Sequence, residues 1–139
     1  MEHIKDDLLV LKELKRILKN DGLIFLTVPA YQFLWSDHDV SLSHYRRYNA
    51  KKLSIVVERA GLKKVRISYM ITILFPALAI FRLLSKLKKS NPNPTPTLIR
   101  VPKYVNKFLV KVLSLENKIL QKINLPFGLS LICIIKKFD

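Results

Sequence analysis

Between residues 37 and 48 the sequence gathers the side chains best suited to chemistry: Asp37-His38-Asp39, then His44-Tyr45-Arg46-Arg47-Tyr48. A histidine beside carboxylates can act as a general base, because neighbouring negative charge raises its pKa. His38 and His44 are the candidate bases, and Asp37 and Asp39 are the carboxylates that would tune them. The same two histidines and two aspartates could hold a divalent cation. Neither a helical two-histidine spacing nor a cysteine pair accompanies them, so no metal is assigned. Arg46 and Arg47, flanked by tyrosines, could clamp a phosphate or carboxylate. The competing reading has them bridge internally to Asp37 and Asp39 and fix the loop. The two readings are not exclusive.

These residues need elements to position them. Leu8, Leu11, Leu14, Ile17 and Leu18 repeat at helical spacing, which predicts a helix over residues 7–20. Asp6 or Asp7 can cap its start, and Asp21-Gly22 supplies a left-handed stop. Leu23 to Val28 is a nearly continuous apolar run, suited to a strand buried on both faces in a parallel sheet, and Pro29 ends it. Residues 30–48 follow as a long loop holding Tyr31 and Trp35 as well as the polar cluster. It leaves the carboxyl end of a strand, where open α/β sheets place their ligands. A helix over 49–60, capped by Asn49 and ended by Gly61, leads to a strand over 62–69. Helix, glycine, strand therefore occurs twice, which predicts an α/β sheet.

Residues 70–84 are strongly apolar, but Pro76 and Arg82 interrupt them and they fall short of the roughly 20 residues a membrane span needs. They fit either a helix lying on a membrane surface or one packed in the core. Residues 88–97, with Pro92, Pro94 and Pro96, read as an extended linker. An amphipathic helix spans 103–123, and a last apolar strand covers 129–135. Cys133 lies within that strand and reads as a small core residue.

Composition sets the outer limits. The 139 residues make one domain with net charge +15. Residues 1–39 carry a balance of −2 and residues 40–139 a balance of +17. The basic block would attract an anionic partner: lipid headgroups, nucleic acid or a charged substrate. Nucleic acid is disfavoured, because the aromatics cluster in one loop while the lysines lie mostly on later helices. The residues at the start show no secretory pattern, and the expectation is a cytoplasmic protein, at most peripheral to a membrane. The three glycines, Gly22, Gly61 and Gly128, lie too far apart to build a phosphate or dinucleotide loop.

Several segments together resemble class I S-adenosylmethionine-dependent methyltransferases of the type 11/12-like group. Glu2-His3-Ile4 is similar to the stretch after their fourth strand. Leu14 to Gly22 is similar to their helix exit, and Leu26 to Ala30 to their fifth strand. Trp35-Ser36 with His38-Asp39, and His44 with Arg46-Arg47-Tyr48, resemble the motifs that follow that strand in one subfamily. Ala60-Gly61-Leu62 and Leu125 to Gly128 fit the entries to the sixth and final strands. Asn20-Asp21 departs from the usual proline and glycine.

The resemblance covers essentially the whole chain and implies the C-terminal half of a doubly wound, Rossmann-like methyltransferase sheet. About three strands with flanking helices would be present, and the N-terminal half that carries the glycine-rich cofactor loop absent. S-adenosylmethionine is the implied cofactor, with Glu2 and His3 beside its pocket. Tyr31, Trp35, Arg46, Arg47 and Tyr48 would bind a small-molecule or lipid-like acceptor. The implied partners are a membrane surface and an N-terminal half made as a separate chain, or a second copy joined through the exposed sheet edge. The alternative is a basic module that binds anionic membranes and catalyses nothing.

Overall fold

The computed structural model describes residues 1–86 and 101–138. The first helix, α1 (Asp7–Ile17), begins where the Asp6 carboxylate accepts the Leu9 amide at 2.9 Å. That bond satisfies one of the amides a helix start leaves without a partner. The helix ends at Leu18 in extended backbone, not through a left-handed Gly22. The glycine with a positive φ is Gly61, at +69°, which turns the end of α3 (Ala50–Arg59) into the following strand. Asn49 caps α3 by accepting the Lys52 amide at 2.7 Å.

Three strands make one sheet: β1 (Leu23–Pro29), β2 (Leu62–Met70) and β3 (Ser130–Lys137), in the order β1-β3-β2. β3 runs antiparallel to both neighbours. β1 and β2 therefore point the same way with β3 inserted between them. This corrects the expectation of a parallel ladder. The register explains it: Ser130 pairs with both Pro29 and Met70, the last residues of β1 and β2. The chain re-enters the sheet at the end where those strands finish, so it can only run back.

Alternation then decides which side chains meet. Leu131, Cys133 and Ile135 point to one face and pair with Val28, Leu26 and Ile24. Against that face pack Leu11 of α1 and Leu53 and Val57 of α3, all fully buried. Each such burial stabilises by about 1.5–3 kcal/mol. Cys133 is a core residue as expected, and burial pushes its thiol up to about 11, a little offset by Lys64.

The opposite face is different. Phe25 is 66 % exposed and Leu23 50 %, so β1 is buried on one side only. The expectation of burial on both faces fails because no described helix crosses that side of β1.

The apolar stretch 70–84 divides. Met70 completes β2, a turn follows, and α4 begins only at Phe75 (Phe75–Ser85). Pro76 sits in its first turn, where the missing amide costs nothing. Of the apolar α4 residues only Ala79 is buried. Helix α5 (Lys103–Lys122) follows, and the proline-rich linker over 88–97 lies outside the described residues. Arg66 of β2 reaches the last turn of α5 and donates to the carbonyls of Leu120 and Ile123 (2.9 Å) and to Asn124 Oδ1 (2.7 Å). A cation there satisfies orphan carbonyls and the negative helix end. Glu116, the single acidic residue of α5, is buried and accepts the Ile73 amide at 2.8 Å. Gly128 lies against the backbone of Met70, where a Cβ would approach the Met70 carbonyl oxygen to 2.2 Å.

Candidate functional site

The segment over 30–48 is a closed loop. Its ends are stitched by the Tyr31 amide donating to Tyr48 O (2.7 Å) and the Tyr48 amide donating to Pro29 O (2.9 Å). Within it the chain makes a 3-10 turn over Gln32–Leu34 and the short helix α2 (Asp37–Ser41). The expected lack of regular structure is thus only partly met.

Asp39 is the centre of this loop and has no solvent exposure. Its Oδ1 accepts from Arg47 Nε at 2.8 Å and His44 Nδ1 at 2.9 Å. Its Oδ2 accepts from the Ser36 amide at 3.0 Å and faces Arg82 Nη1 at 3.5 Å. Burial alone would raise this carboxyl, but the Arg47 and His44 hydrogen bonds outweigh it and hold the pKa below the usual value. Arg47 is equally enclosed, and its Nη1 donates to Ala30 O at 3.0 Å. The structure therefore gives Arg47 the locking role, with Asp39 as its partner.

A second pair straps the N-terminal segment to the loop. Asp7 Oδ2 accepts from Arg46 Nη1 at 2.9 Å and from the Tyr48 hydroxyl at 2.8 Å. Desolvation opposes the charge on Asp7, and these two donors overcome it, so its pKa is lowered. Arg46 bridges to Asp7 and to the Lys5 carbonyl, not to Asp37 or Asp39 as the internal-lock reading had it. Tyr48 is buried, and desolvation and Asp7 raise its pKa. Arg46, Arg47 and Tyr48 all spend donors inside the fold, which leaves the positions expected to grip an anion largely structural.

The histidines separate. His44 is held through Nδ1 by Asp39, so Nε2 is the nitrogen left for chemistry. His38 lies exposed on α2. Desolvation and the Arg82 charge lower its pKa against the opposing pull of Asp39, so it is neutral at pH 7 and can accept a proton. Asp37 is exposed in the first turn of α2. Glu2 and His3 reach the same place from the N-terminus. The Tyr45 amide donates to Glu2 O at 2.6 Å, and the rings of His3 and His44 meet edge to face at 4.7 Å.

An aromatic rim borders this region. Tyr31, just past β1, stacks on Tyr69 near the end of β2 with centroids 5.2 Å apart. Phe33 and Phe75 also contact Tyr31, and Phe127 contacts Phe75. Burial and Tyr69 raise the Tyr31 pKa. Tyr31 and Ile71 hold φ of 59° and 61°, strained for an aromatic and a β-branched residue, at the exits of β1 and β2. Trp35 is half-buried and closes the 3-10 turn.

Sequence reasoning did not assign Asp7, Tyr69, Phe75, Arg82 or Phe127 to the site. Arg82 had a usable signal: a lone charge in an apolar run needs a carboxylate, and Asp39 supplies it. No protein-family model matches the chain, and no curated protein matches it.

Proposed function

We propose that the chain is the acceptor-binding part of an S-adenosylmethionine-dependent methyltransferase whose acceptor is lipid-like. One observation carries this: β1 and β2 run in the same direction, and the closed loop, the histidines and the aromatic rim gather at the end where both strands finish. Ligands of open α/β sheets bind at that end. The doubly wound parent architecture belongs to the same proposal. It is supported by β1, which pairs on one edge with β3 and has no described partner on the other.

The residues present do not by themselves build the cofactor's cradle, since the three glycines make no glycine-rich loop. Further strands on the open edge of β1 would have to supply it, from this or another chain. S-adenosylmethionine, when bound, supplies the methyl group. The residues here orient the acceptor against the Tyr31 and Tyr69 rings and take up its proton on His38 or on His44 Nε2.

The make-up of α4 and α5 supports a lipid-like acceptor. Ile80, Phe81 and Leu84 of α4, and Tyr104, Phe108 and Leu115 of α5, are exposed apolar side chains. Lys103, Lys107, Lys111, Lys118 and Lys122 accompany them on α5. No described helix is long and apolar enough to cross a membrane. Amphipathic helices of this make suit an anionic lipid surface. The same observation favours the second reading, a basic membrane-binding module without catalysis.

The test uses protein purified from its source, methyl-labelled S-adenosylmethionine and a total lipid extract. Label is expected in the organic phase. Joint replacement of His38 and His44 by alanine should reduce it by roughly 10²-fold or more. Absence of label from lipid and aqueous products alike would reject methyl transfer, and undiminished turnover in the double variant would reject the base assignment.

A further inference from the structure

We infer that Glu2, His3 and His44 form a binding site for a zinc-class divalent cation. Their ligand atoms all lie within 4.8 Å of one another, although His3 and His44 are 41 positions apart in the chain. The inference stands on this geometry and does not depend on methyl transfer.

Three features beyond proximity support it. First, His44 is already oriented as a metal ligand. Its Nδ1–H donates to the buried Asp39 carboxylate at 2.9 Å, which fixes the ring and leaves Nε2 as the nitrogen free to ligate. Carboxylate, histidine and metal in that order is the usual outer-shell arrangement, and it raises the basicity of the ligating nitrogen. Asp39 is in turn held by Arg47, so the orienting group cannot drift. Second, the backbone brings the other two ligands to His44. The Tyr45 amide donates to Glu2 O at 2.6 Å, and Arg46 ties the same segment through Lys5 and Asp7. Third, the donor set is chemically coherent. Two imidazoles and one carboxylate suit zinc or a neighbouring transition metal, and not magnesium or calcium, which prefer all-oxygen shells.

Zinc sits about 2.0–2.2 Å from such donors, which puts tetrahedral ligands roughly 3.4 Å apart. The three atoms must therefore close by about an ångström. His3 can provide the movement, because its side chain is 53 % exposed. Glu2 Oε1 is 3.8 Å from His3 Nε2, and Glu2 Oε2 is 3.5 Å from the Met1 amine. Three protein ligands leave at least one open position for water or an acceptor oxygen. A cation on His44 Nε2 also removes His44 as a base and leaves His38 in that role.

Sequence spacing argued against a metal because it weighed only residues 37–44. Two of the three ligands come from the opposite end of the segment that the Arg46–Asp7 strap closes.

Zinc chloride titrated into the full chain, followed by calorimetry and by histidine-ring NMR, tests the site. One equivalent is expected to bind, with the His3 and His44 ring signals shifting and His38 unmoved. His3→Ala and Glu2→Gln should each weaken binding by about 10–100-fold. Circular dichroism keeps the test sound, since the exposed His3 can be removed without unfolding the chain. No saturable binding, an equal shift of His38, or unchanged affinity in both variants would overturn the assignment.

Discussion

The closed loop over 30–48 and the helices α4 and α5 hold the same kinds of residue, aromatic and basic, and use them in opposite ways. In the loop, Arg47 and Tyr48 are buried and each donates to a carboxylate, Asp39 or Asp7. On the helices, Phe81, Tyr104 and Phe108 face outward beside exposed lysines. A buried charge must be matched inside the fold or it costs several kcal/mol, so the loop's cations serve architecture. The exposed apolar side chains among lysines are what the proposed membrane contact would use. Residue type alone would have assigned both regions to ligand binding; burial separates them.

That division can be broken most forcefully at Arg47. Arg47→Ala should lose about 3–5 kcal/mol of stability in urea unfolding, because the buried Asp39 loses its nearest cation and keeps only His44, the Ser36 amide and Arg82 at 3.5 Å. A loss under 1 kcal/mol would mean that the lock is dispensable and the arginine is held for something else.

Acid should act on the same region. Asp39 and Asp7 have folded pKa values below the ordinary 3.8, so each contributes stability that is fully present above that value. That stability is lost as pH falls below 3.8 through the folded values. Asp39→Asn should flatten the acid limb of a stability-versus-pH profile, and an unchanged limb would place the acid sensitivity elsewhere. Tyr48→Phe should have a smaller effect, about 1–2 kcal/mol, since Asp7 keeps Arg46.

The helices should behave in the reverse manner. Lys107→Ala and Lys111→Ala should change stability by no more than about 0.5 kcal/mol. Each should weaken binding to anionic vesicles by about 1 kcal/mol, roughly fivefold, at low salt. Equal binding by the double variant would remove the electrostatic part of the membrane reading. Smallest of all, Cys133 should resist thiol reagents at pH 8 in the folded chain, because burial raises its pKa to about 11.

Local pattern made several elements legible. The Asn49 cap, the apolar positions Leu53 and Val57 and the stop at Gly61 placed α3 to within a residue. The strands over 23–29 and 62–70 and the helix over 103–122 followed from apolar runs and helical repeats. Partner choice was not legible. Nothing local tells β3 to enter between β1 and β2, because that follows from the end of the sheet to which α5 returns the chain. Asp7 read as a helix cap and serves instead as the anchor for Arg46 and Tyr48, 39 and 41 residues away. The Asp39 cluster was visible as a cluster, but which arginine it would take was set by the depth of the loop. Arg47 points in to Asp39 and Arg46 points to the Asp7 strap.

The most direct test of the central proposal is S-adenosylmethionine binding to protein purified from its source, measured by calorimetry with anionic vesicles present. Saturable binding, displaced by S-adenosylhomocysteine, is the expected result. Salt-sensitive vesicle binding without any affinity for S-adenosylmethionine would contradict methyl transfer and leave a basic, membrane-binding module.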